Sequence, residues 1–446
     1  MRAHHHLRRM LQLSQHVFPE RDDDMYDMTK CSSSWLERYE TSGRVLESHH
    51  YVGTTLGQQH IINGNQTSHS ENDSNVVFTD FNQENHCLRI TLNRPKSFNA
   101  LSLTMIRKLT KILEQALEDS NVHFVMLSSS NEKAFCAGGD IKDLRKGIAK
   151  VFFTEEFALN HFIYEFCKKK PIVSMLNGIT MGGGVGISIS TNLRVANEQR
   201  YVFAMPEVFI GLYPDIGASW FLTQSCPNMA IARYIGLTGE KLKAHDALYC
   251  KLVTHIIDKE EHFKKLAHDI YTVFKSSSTN GDFTTVLKEL TQFISKYEKE
   301  ARSSNVKFGI LDRYRRVIDY CFGEENAKSV KDVFRNLRLY IEQHPSRCDA
   351  DIVFIQSILE LFEKRASPTS LLVTFEALNR GKKSNSLKQV LDMDKILCTH
   401  LTVRHDFLEG VRAVLIDRDQ KPKFKPATLE EIDEMALVQE VFSEKQ

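Results

Sequence analysis

The chain has 446 residues, of which 42% are hydrophobic, and its formal net charge is +1. A chain of this length can bury a large core, and its near-neutral charge gives no support for nucleic acid or an anionic membrane as a dominant partner. Its nine cysteines form no Cys-x-x-Cys pair and are odd in number. This pattern argues against a zinc site and a disulfide framework, so we expect reduced, mostly buried thiols and no bound metal.

The first nineteen residues are basic and weakly amphipathic. They include Arg2, Arg8 and Arg9, and no acidic residue occurs before Glu20. This profile predicts a mitochondrial presequence over residues 1–19, and the alternative is a disordered basic tail. The segment contains no long apolar run, which argues against a secretory signal and a membrane span. Residues 20–74 are rich in Ser, Asn, His and Asp, and we expect them to be poorly ordered.

Alternating apolar residues and helical patterns begin near residue 75. Leu88, Ile90 and Leu92 alternate as on a half-buried strand, and an amphipathic helical pattern follows them. Residues 122–127 and 172–176 are nearly unbroken apolar strands, each followed by a glycine-containing loop and a helical pattern. Strands that are apolar on both faces and alternate with helices predict an α/β core, here placed at residues 75–275. A helix over 238–247 and a strand over 253–257 are expected near its end.

A composition break over residues 275–282, rich in Ser, Thr, Asn and Gly, predicts a boundary there. The remainder, residues 276–446, is predicted to be helical. Two apolar stripes at helical spacing support this prediction, one of Val330, Val333, Phe334, Leu337 and Ile341 and one of Leu371, Leu372, Phe375 and Leu378. We assign this region to packing rather than to catalysis.

Residues 181–186 read Met-Gly-Gly-Gly-Val-Gly and follow a predicted buried strand. Glycines allow a ligand to approach the main chain closely, so their amides can hold an oxyanion. The spacing does not fit a dinucleotide fingerprint, because Ile187 stands where a small residue is needed, and there is no P-loop triplet. We therefore favour an oxyanion hole, the alternative being glycines that only allow tight packing.

Two carboxylates follow the glycine loop closely in sequence. Glu207 comes after Pro206 and Asp215 after Pro214, so prolines hold both in rigid turns. Their neighbours are mainly apolar, an environment that raises the pKa of a carboxyl group. Both residues are candidates for acid/base or nucleophilic chemistry.

Two segments resemble the signatures of the enoyl-CoA hydratase/isomerase (crotonase) superfamily: residues 133–141, Lys-Ala-Phe-Cys-Ala-Gly-Gly-Asp-Ile, and residues 177–186. Residues 203–207, 211–217, 406–417 and 422–426 are similar to the branch that hydrolyses 3-hydroxyisobutyryl-CoA. The resemblance covers most of the chain. It implies a crotonase (ClpP/crotonase-like) spiral of ββα units with a C-terminal helical region, in an α/β fold.

The resemblance also implies site residues. The oxyanion hole would be formed by the amides of Gly139 and Gly183, and Glu207 would be the nucleophile or general base, with Asp215 orienting groups or relaying a proton. Glu156 falls where the family has a glutamate that contacts the substrate and would suit its 3-hydroxyl group. Glu155 could take this place instead, or both glutamates could lie on a solvated helix face.

One position separates the hydrolase branch from hydratases. Hydratases use a second glutamate just after the glycine loop, where this chain has Gly186. Without that carboxylate, addition of water across a double bond lacks one of its acid/base groups. Hydratase activity is therefore not expected, whereas an isomerase remains possible on this residue alone.

The resemblance implies hydrolysis of 3-hydroxyisobutyryl-CoA to 3-hydroxyisobutyrate and CoA in valine catabolism, in the mitochondrial matrix. CoA would be part of the substrate, with no further cofactor, no direct nucleic-acid binding and no membrane partner; a homo-oligomer is possible. The alternatives are a structural component of the mitochondrial small ribosomal subunit, associated with mitoribosomes, and a crotonase-type isomerase or hydrolase acting on another acyl-CoA.

Overall fold

The computed structural model describes residues 75–141, 144–301, 309–344 and 350–443. The predicted presequence (1–19) and the predicted polar segment (20–74) lie outside these residues. The cysteines at the seven described positions are free and buried, in agreement with the expected reduced thiols.

The strands form two sheets. A six-stranded sheet has the order β1-β2-β3-β5-β7-β9, with β1 antiparallel to β2 and the other neighbours parallel, and a three-stranded parallel sheet has the order β4-β6-β8. This arrangement confirms the predicted α/β core. The strands are β1 Val77–Asn82, β2 Cys87–Leu92, β3 Phe124–Ser129, β4 Ala134–Cys136, β5 Ile172–Leu176, β6 Ile179–Met181, β7 Leu193–Asn197, β8 Val202–Ala204 and β9 His255–Ile257.

Helices connect the strands and make up the C-terminal region. Short 3-10 helices cover Pro95–Ser97, Glu207–Ile210 and Leu429–Glu431, and π-helical turns cover Leu144–Ile148 and Arg412–Ile416. The α-helices up to the predicted boundary are α1 Leu103–Glu118, α2 Ala149–Phe166, α3 Gly183–Gly186, α4 Ala218–Ser225, α5 Met229–Thr238, α6 Ala244–Tyr249 and α7 Glu260–Thr272. Those after it are α8 Phe283–Ala301, α9 Ile310–Arg313, α10 Arg315–Phe322, α11 Val330–Gln343, α12 Ala350–Lys364, α13 Pro368–Lys383, α14 Leu387–Leu401, α15 His405–Val411 and α16 Glu434–Val441.

One helix prediction is wrong. A helix was expected over residues 238–247, but α5 ends at Thr238 and α6 begins only at Ala244. Gly239 has a φ of 59° and its amide donates to the carbonyl of Ile235 at 3.1 Å. A glycine in this left-handed conformation ends a helix.

Both faces of the large sheet are covered. On one face, β2, β3, β5, β7 and β9 contribute to a buried apolar cluster with α7 and α8. On the other, apolar residues of α1 and α2 lie over β2, β3 and β5. The predicted boundary at residues 275–276 falls between α7 and α8, and residues 73–446 form one compact unit; the division into a core and a C-terminal region stays a prediction.

The C-terminal helices pack against the turn that contains Glu207. Leu371, Leu372, Phe375 and Leu378 of α13 are all buried, which confirms that stripe as core. A Cβ atom built on Gly211 would lie 2.2 Å from the carbonyl carbon of Asp406, and one built on Gly410 would lie 2.5 Å from Cα of Ile210. The backbone of α15 is therefore pressed directly against residues 210–211, at a distance that only glycine permits.

Candidate active site

The two predicted oxyanion amides are brought together by neighbouring strands. β4 and β6 are parallel neighbours, so the loops after them leave the small sheet at the same edge. Hydrogen bonds from Leu101 to the carbonyl of Gly138 (2.8 Å) and from Asp140 to the carbonyl of Leu101 (2.7 Å) fix the backbone on both sides of Gly139. Gly183 is the first residue of the one-turn helix α3, so its amide has no acceptor within that helix.

The spacing of these groups is close. A Cβ atom built on Gly183 would lie 3.4 Å from the backbone nitrogen of Gly139. The amide nitrogen of Gly139 therefore lies next to Gly183, as an oxyanion hole formed by these two residues would require.

Glu156, and not Glu155, faces the glycine loop. A Cβ atom built on Gly183 would lie 2.3 Å from Oε1 of Glu156, whose side chain is 2% exposed. Glu155 instead accepts two hydrogen bonds of 2.7 Å from Arg107 and is partly exposed. The alternative of a solvated helix face therefore applies to Glu155 and not to Glu156.

Glu207 begins the 3-10 helix that follows Pro206. A Cβ atom built on Gly182 would lie 3.1 Å from Oε1 of Glu207, and Glu207 is 8% exposed. Burial raises the pKa of Glu207 well above its usual value, and the nearby charges of Asp215 and Glu156 raise it further. The carboxyl group thus stands beside the glycine loop, in a setting that disfavours its charge.

Asp215 lies in the turn that leads into α4 and is 4% exposed. Burial raises its pKa to about 7, although hydrogen bonds from its own backbone and from Cys398 oppose the shift. The thiol of Cys398 donates to Oδ2 of Asp215 at 3.7 Å. The pKa of Glu156 is raised by burial and by Asp215, so these carboxyl groups influence one another's protonation.

Sequence reasoning missed Asp394, which lies on α14. The carboxylate of Asp394 accepts hydrogen bonds of 2.7 Å from the hydroxyl of Tyr213 and from the amide of Gly217. Burial raises the pKa of Asp394 to about 8. Asp394 therefore holds the turn at both of its ends, and Cys398 bonds to Asp215 between them. The C-terminal region thus does more at this site than the packing assigned to it.

Asn160 was also missed as a site residue. It follows Glu156 by one turn of α2 and is 2% exposed. A Cβ atom built on Gly186 would lie 2.8 Å from Nδ2 of Asn160. The side chain of Asn160 therefore occupies the space that a side chain at position 186 would need.

The arrangement suits acyl transfer. Two adjacent amides can stabilise negative charge that develops on a carbonyl oxygen, and a carboxylate beside them can attack the carbonyl carbon or activate water. Glu156, Glu207 and Asp215, the three predicted carboxylates, all lie at the glycine loop or on the turns that border it. The roles of Glu156, Glu207, Asp215, Gly139 and Gly183 stay predictions.

Comparison with known families decides the broader classification. The model of the enoyl-CoA hydratase/isomerase family matches residues 87–442. The chain belongs to this family. The resemblance noted in the sequence is thereby confirmed, and with it the crotonase-like α/β fold.

Curated members of this family are similar to the chain over most of its length. The protein named "3-hydroxyisobutyryl-CoA hydrolase, mitochondrial" from Homo sapiens is 38% identical over 354 residues, which cover 78% of this chain and 84% of that protein. The proteins of the same name from Danio rerio and Dictyostelium discoideum are 37% and 34% identical, with 79% of this chain covered in both and 86% and 88% of their own lengths.

Solved structures of the family also resemble this one. A carnitinyl-CoA dehydratase from Mycobacterium thermoresistibile superposes with a TM-score of 0.68 at 26% identity, covering 83% of this chain and 97% of that one. An enoyl-CoA hydratase from Rhodobacter sphaeroides 2.4.1 has a TM-score of 0.64 at 26% identity, with 82% and 97% covered. Within the described ranges, no helix combines the length and the apolar character needed to cross a membrane.

Proposed function

We propose that this enzyme hydrolyses the thioester of 3-hydroxyisobutyryl-CoA to 3-hydroxyisobutyrate and CoA, as its curated relatives are named to do. The observation that carries this proposal is the placement of Glu207 beside Gly182 while the amide nitrogen of Gly139 lies next to Gly183. This geometry supports an oxyanion hole and a carboxylate that act on one acyl group. CoA enters as part of the substrate, and the proposed reaction needs no other cofactor.

In the proposed reaction the thioester carbonyl oxygen accepts hydrogen bonds from Gly139 and Gly183. In its deprotonated form, which the raised pKa makes a stronger base, Glu207 either attacks the carbonyl carbon directly or removes a proton from an attacking water. Negative charge then moves to the carbonyl oxygen, where the two amides stabilise it. Collapse of the tetrahedral intermediate breaks the carbon–sulfur bond and releases the CoA thiolate, which takes up a proton. Where Glu207 has attacked directly, the product of this step is an anhydride, which water then hydrolyses to release 3-hydroxyisobutyrate and free Glu207.

Asp215 is suited to moving that proton. A group with a pKa of about 7 can both give and accept a proton near neutral pH, which is the range in which such transfer is most efficient. Its position is fixed by the bond from Cys398 and by the adjoining Tyr213–Gly217 turn that Asp394 holds. Asp215 therefore serves as the relay or orienting group, and Glu207 as the nucleophile or base.

Glu156 is proposed to contact the substrate near the oxyanion hole, because its Oε1 faces Gly183. Its raised pKa favours the protonated form, which can donate a hydrogen bond to an uncharged hydroxyl group. The 3-hydroxyl of the acyl group is the natural partner in this position.

The proposed location is the mitochondrial matrix, with residues 1–19 as the presequence, since the curated relatives above are named mitochondrial. The same relatives carry an enzyme name, and no observation on this chain favours the ribosomal alternative. A crotonase reaction on another acyl-CoA remains the alternative that the assay below can separate.

The proposal is tested by measuring thiol release from 3-hydroxyisobutyryl-CoA by the purified protein. Glu207→Gln and Asp215→Asn are expected to lower kcat by at least about 100-fold, because each removes a proton-transfer or nucleophilic group. Glu155→Gln is the matched control, since Glu155 is partly exposed and bonded to Arg107, and it should retain activity. A folded wild type that releases no thiol from this substrate would refute the proposal.

A further inference from the structure

Helix α2 presents two buried polar side chains to the glycine turn α3, one helical turn apart. Glu156 faces Gly183, with its Oε1 2.3 Å from a Cβ built there, and Asn160 faces Gly186, with its Nδ2 and Oδ1 at 2.8 and 2.9 Å. Because α3 has glycines at both positions, no side chain separates it from α2. Polar side-chain atoms of Glu156 and Asn160 therefore line α3 from the proposed oxyanion hole at Gly183 to Gly186.

The amide of Asn160 is buried without a partner. Neither Nδ2 nor Oδ1 has a hydrogen bond to any of the described residues, and the side chain is 2% exposed. Oε1 of Glu156 is in the same state. Leaving a buried polar group unsatisfied is costly, so two such groups on adjacent turns of one helix point to a polar ligand group that they share.

The substrate supplies such a group at a matching distance. With the thioester carbonyl held by Gly139 and Gly183, the 3-hydroxyl lies two carbon atoms beyond the carbonyl carbon. Gly186 is three residues after Gly183, which corresponds to about 4.5 Å along a helix axis. A hydroxyl group both donates and accepts a hydrogen bond, and the amide of Asn160 offers one donor and one acceptor atom.

We propose that Asn160 binds the 3-hydroxyl group of the acyl chain together with Glu156 and so makes the site specific for 3-hydroxyacyl-CoA thioesters. This inference rests on the proposed hydrolase function. Asn160 is thereby a specificity-determining residue, and an amide suits this task because it cannot ionise and so adds no further charge beside Glu156, Glu207 and Asp215.

The test compares two substrates that differ only in the hydroxyl group, 3-hydroxyisobutyryl-CoA and isobutyryl-CoA. Asn160→Ala is expected to lower kcat/KM for the hydroxylated substrate by about 10- to 100-fold, the loss of one or two hydrogen bonds in a buried site. Hydrolysis of isobutyryl-CoA should change little, so the preference for the hydroxylated substrate collapses. Asn160→Asp serves as a second variant that keeps the shape of the side chain.

Asn336→Ala is the matched structural control. Asn336 is also a buried asparagine, but its amide donates to the carbonyl of Asn326 at 3.0 Å, on the C-terminal helices. We expect this variant to lose stability and to keep the wild-type preference between the two substrates. Equal losses on both substrates in Asn160→Ala, or no loss on either, would overturn the proposed role of Asn160.

A binding measurement separates failure of this inference from failure of the proposed function. Titration calorimetry with non-hydrolysable thioether analogues of CoA, one with the 3-hydroxyl and one without, requires no turnover. Asn160→Ala should weaken binding of the hydroxylated analogue alone, even if the wild type proves to hydrolyse neither thioester. Equal binding of the two analogues by the wild type would refute hydroxyl recognition, whatever the hydrolysis assay shows.

Discussion

The two sides of the candidate site differ in how their polar groups are satisfied. On the glycine side, Oε1 of Glu156, Oε2 of Glu207 and the amide of Asn160 have no hydrogen-bond partner among the described residues. On the aspartate side, Asp394 accepts two short hydrogen bonds from the Tyr213–Gly217 turn. Unsatisfied buried groups are costly and satisfied ones rigidify their surroundings. The glycine side is therefore built to meet a substrate, and the aspartate side is built to stay in place.

Among variants that distinguish the two sides, Gly183→Ala on the glycine side is expected to lower kcat the most. The new Cβ would lie 2.3 Å from Oε1 of Glu156, so the glutamate or the turn must move and the amide of Gly183 loses its alignment. Loss of one oxyanion donor lowers kcat by about 100- to 1000-fold. Thiol-release kinetics would measure this loss. In Gly236→Ala, the control on α5, the Cβ meets only methyl groups, those of Leu378 at 3.1 Å, Thr374 at 3.4 Å and Leu222 at 3.9 Å; a comparable loss there would contradict the explanation.

A smaller effect is expected on the aspartate side. Asp394→Asn keeps the shape of the side chain but removes one of its two acceptor oxygens, so either Tyr213 or Gly217 loses its partner. Because Asp394 positions a turn and has no proton-transfer role in the proposed reaction, we expect kcat to fall about tenfold, a loss of about 1.4 kcal/mol, with KM nearly unchanged.

Asp392→Asn on the same helix is the control for that prediction. Asp392 is exposed and pairs with Lys388 at 2.7 Å, an interaction that contributes little to stability. A fall in kcat as large as that of Asp394→Asn would mean that helix α14 as a whole, and not its bond to the turn, sets the rate.

The third effect concerns the pH dependence of stability rather than the rate. Burial raises the pKa of Asp215 from 3.8 to about 7, so between these values the folded protein binds more protons than the unfolded chain. Stability therefore falls as pH rises through this window. The raised pKa values of Glu156 and Glu207 act in the same direction.

Urea unfolding at pH 5 and pH 8 would measure this dependence. Asp215→Asn should be less destabilised than the wild type by the change from pH 5 to pH 8, whereas Asp392→Asn should follow the wild type. An identical pH dependence in Asp215→Asn would show that the folded state does not hold Asp215 in its protonated form within this range.

Much of the fold could be predicted because local patterns determine it. The apolar run from Ile172 to Leu176 became β5 with the predicted limits, since it is bounded by Pro171 and a glycine. The predicted strand over 122–127 begins two residues later, at Phe124, because element ends depend on pairing partners rather than on local hydropathy. The glycine loop and the Pro-Glu turn of the candidate site could also be predicted, because each is a short local pattern in the sequence.

The residues missed by the sequence analysis act across the chain. Asp394 meets Gly217, 177 residues away, and no local motif connects them. A signal was nevertheless present, because Asp394 stands between Leu391 and Leu397 on the buried stripe of α14. Asn160 likewise lies on the buried side of α2. A polar residue on an apolar helical stripe identifies a candidate, but only the fold shows its partner.

The contact between Gly211 and the Asp406–Gly410 segment has a consequence for the order in which the enzyme becomes active. Glu207 leaves the ribosome about 200 residues before Gly410, an interval of ~10–40 s at usual rates of synthesis. During that time the nascent chain carries both proposed oxyanion segments together with Glu207 and Asp215, but not the backbone against which the Glu207 turn rests. A chain truncated before residue 405 would therefore keep both superfamily signature segments and still lack the support of the Glu207 turn, and we expect it to be inactive.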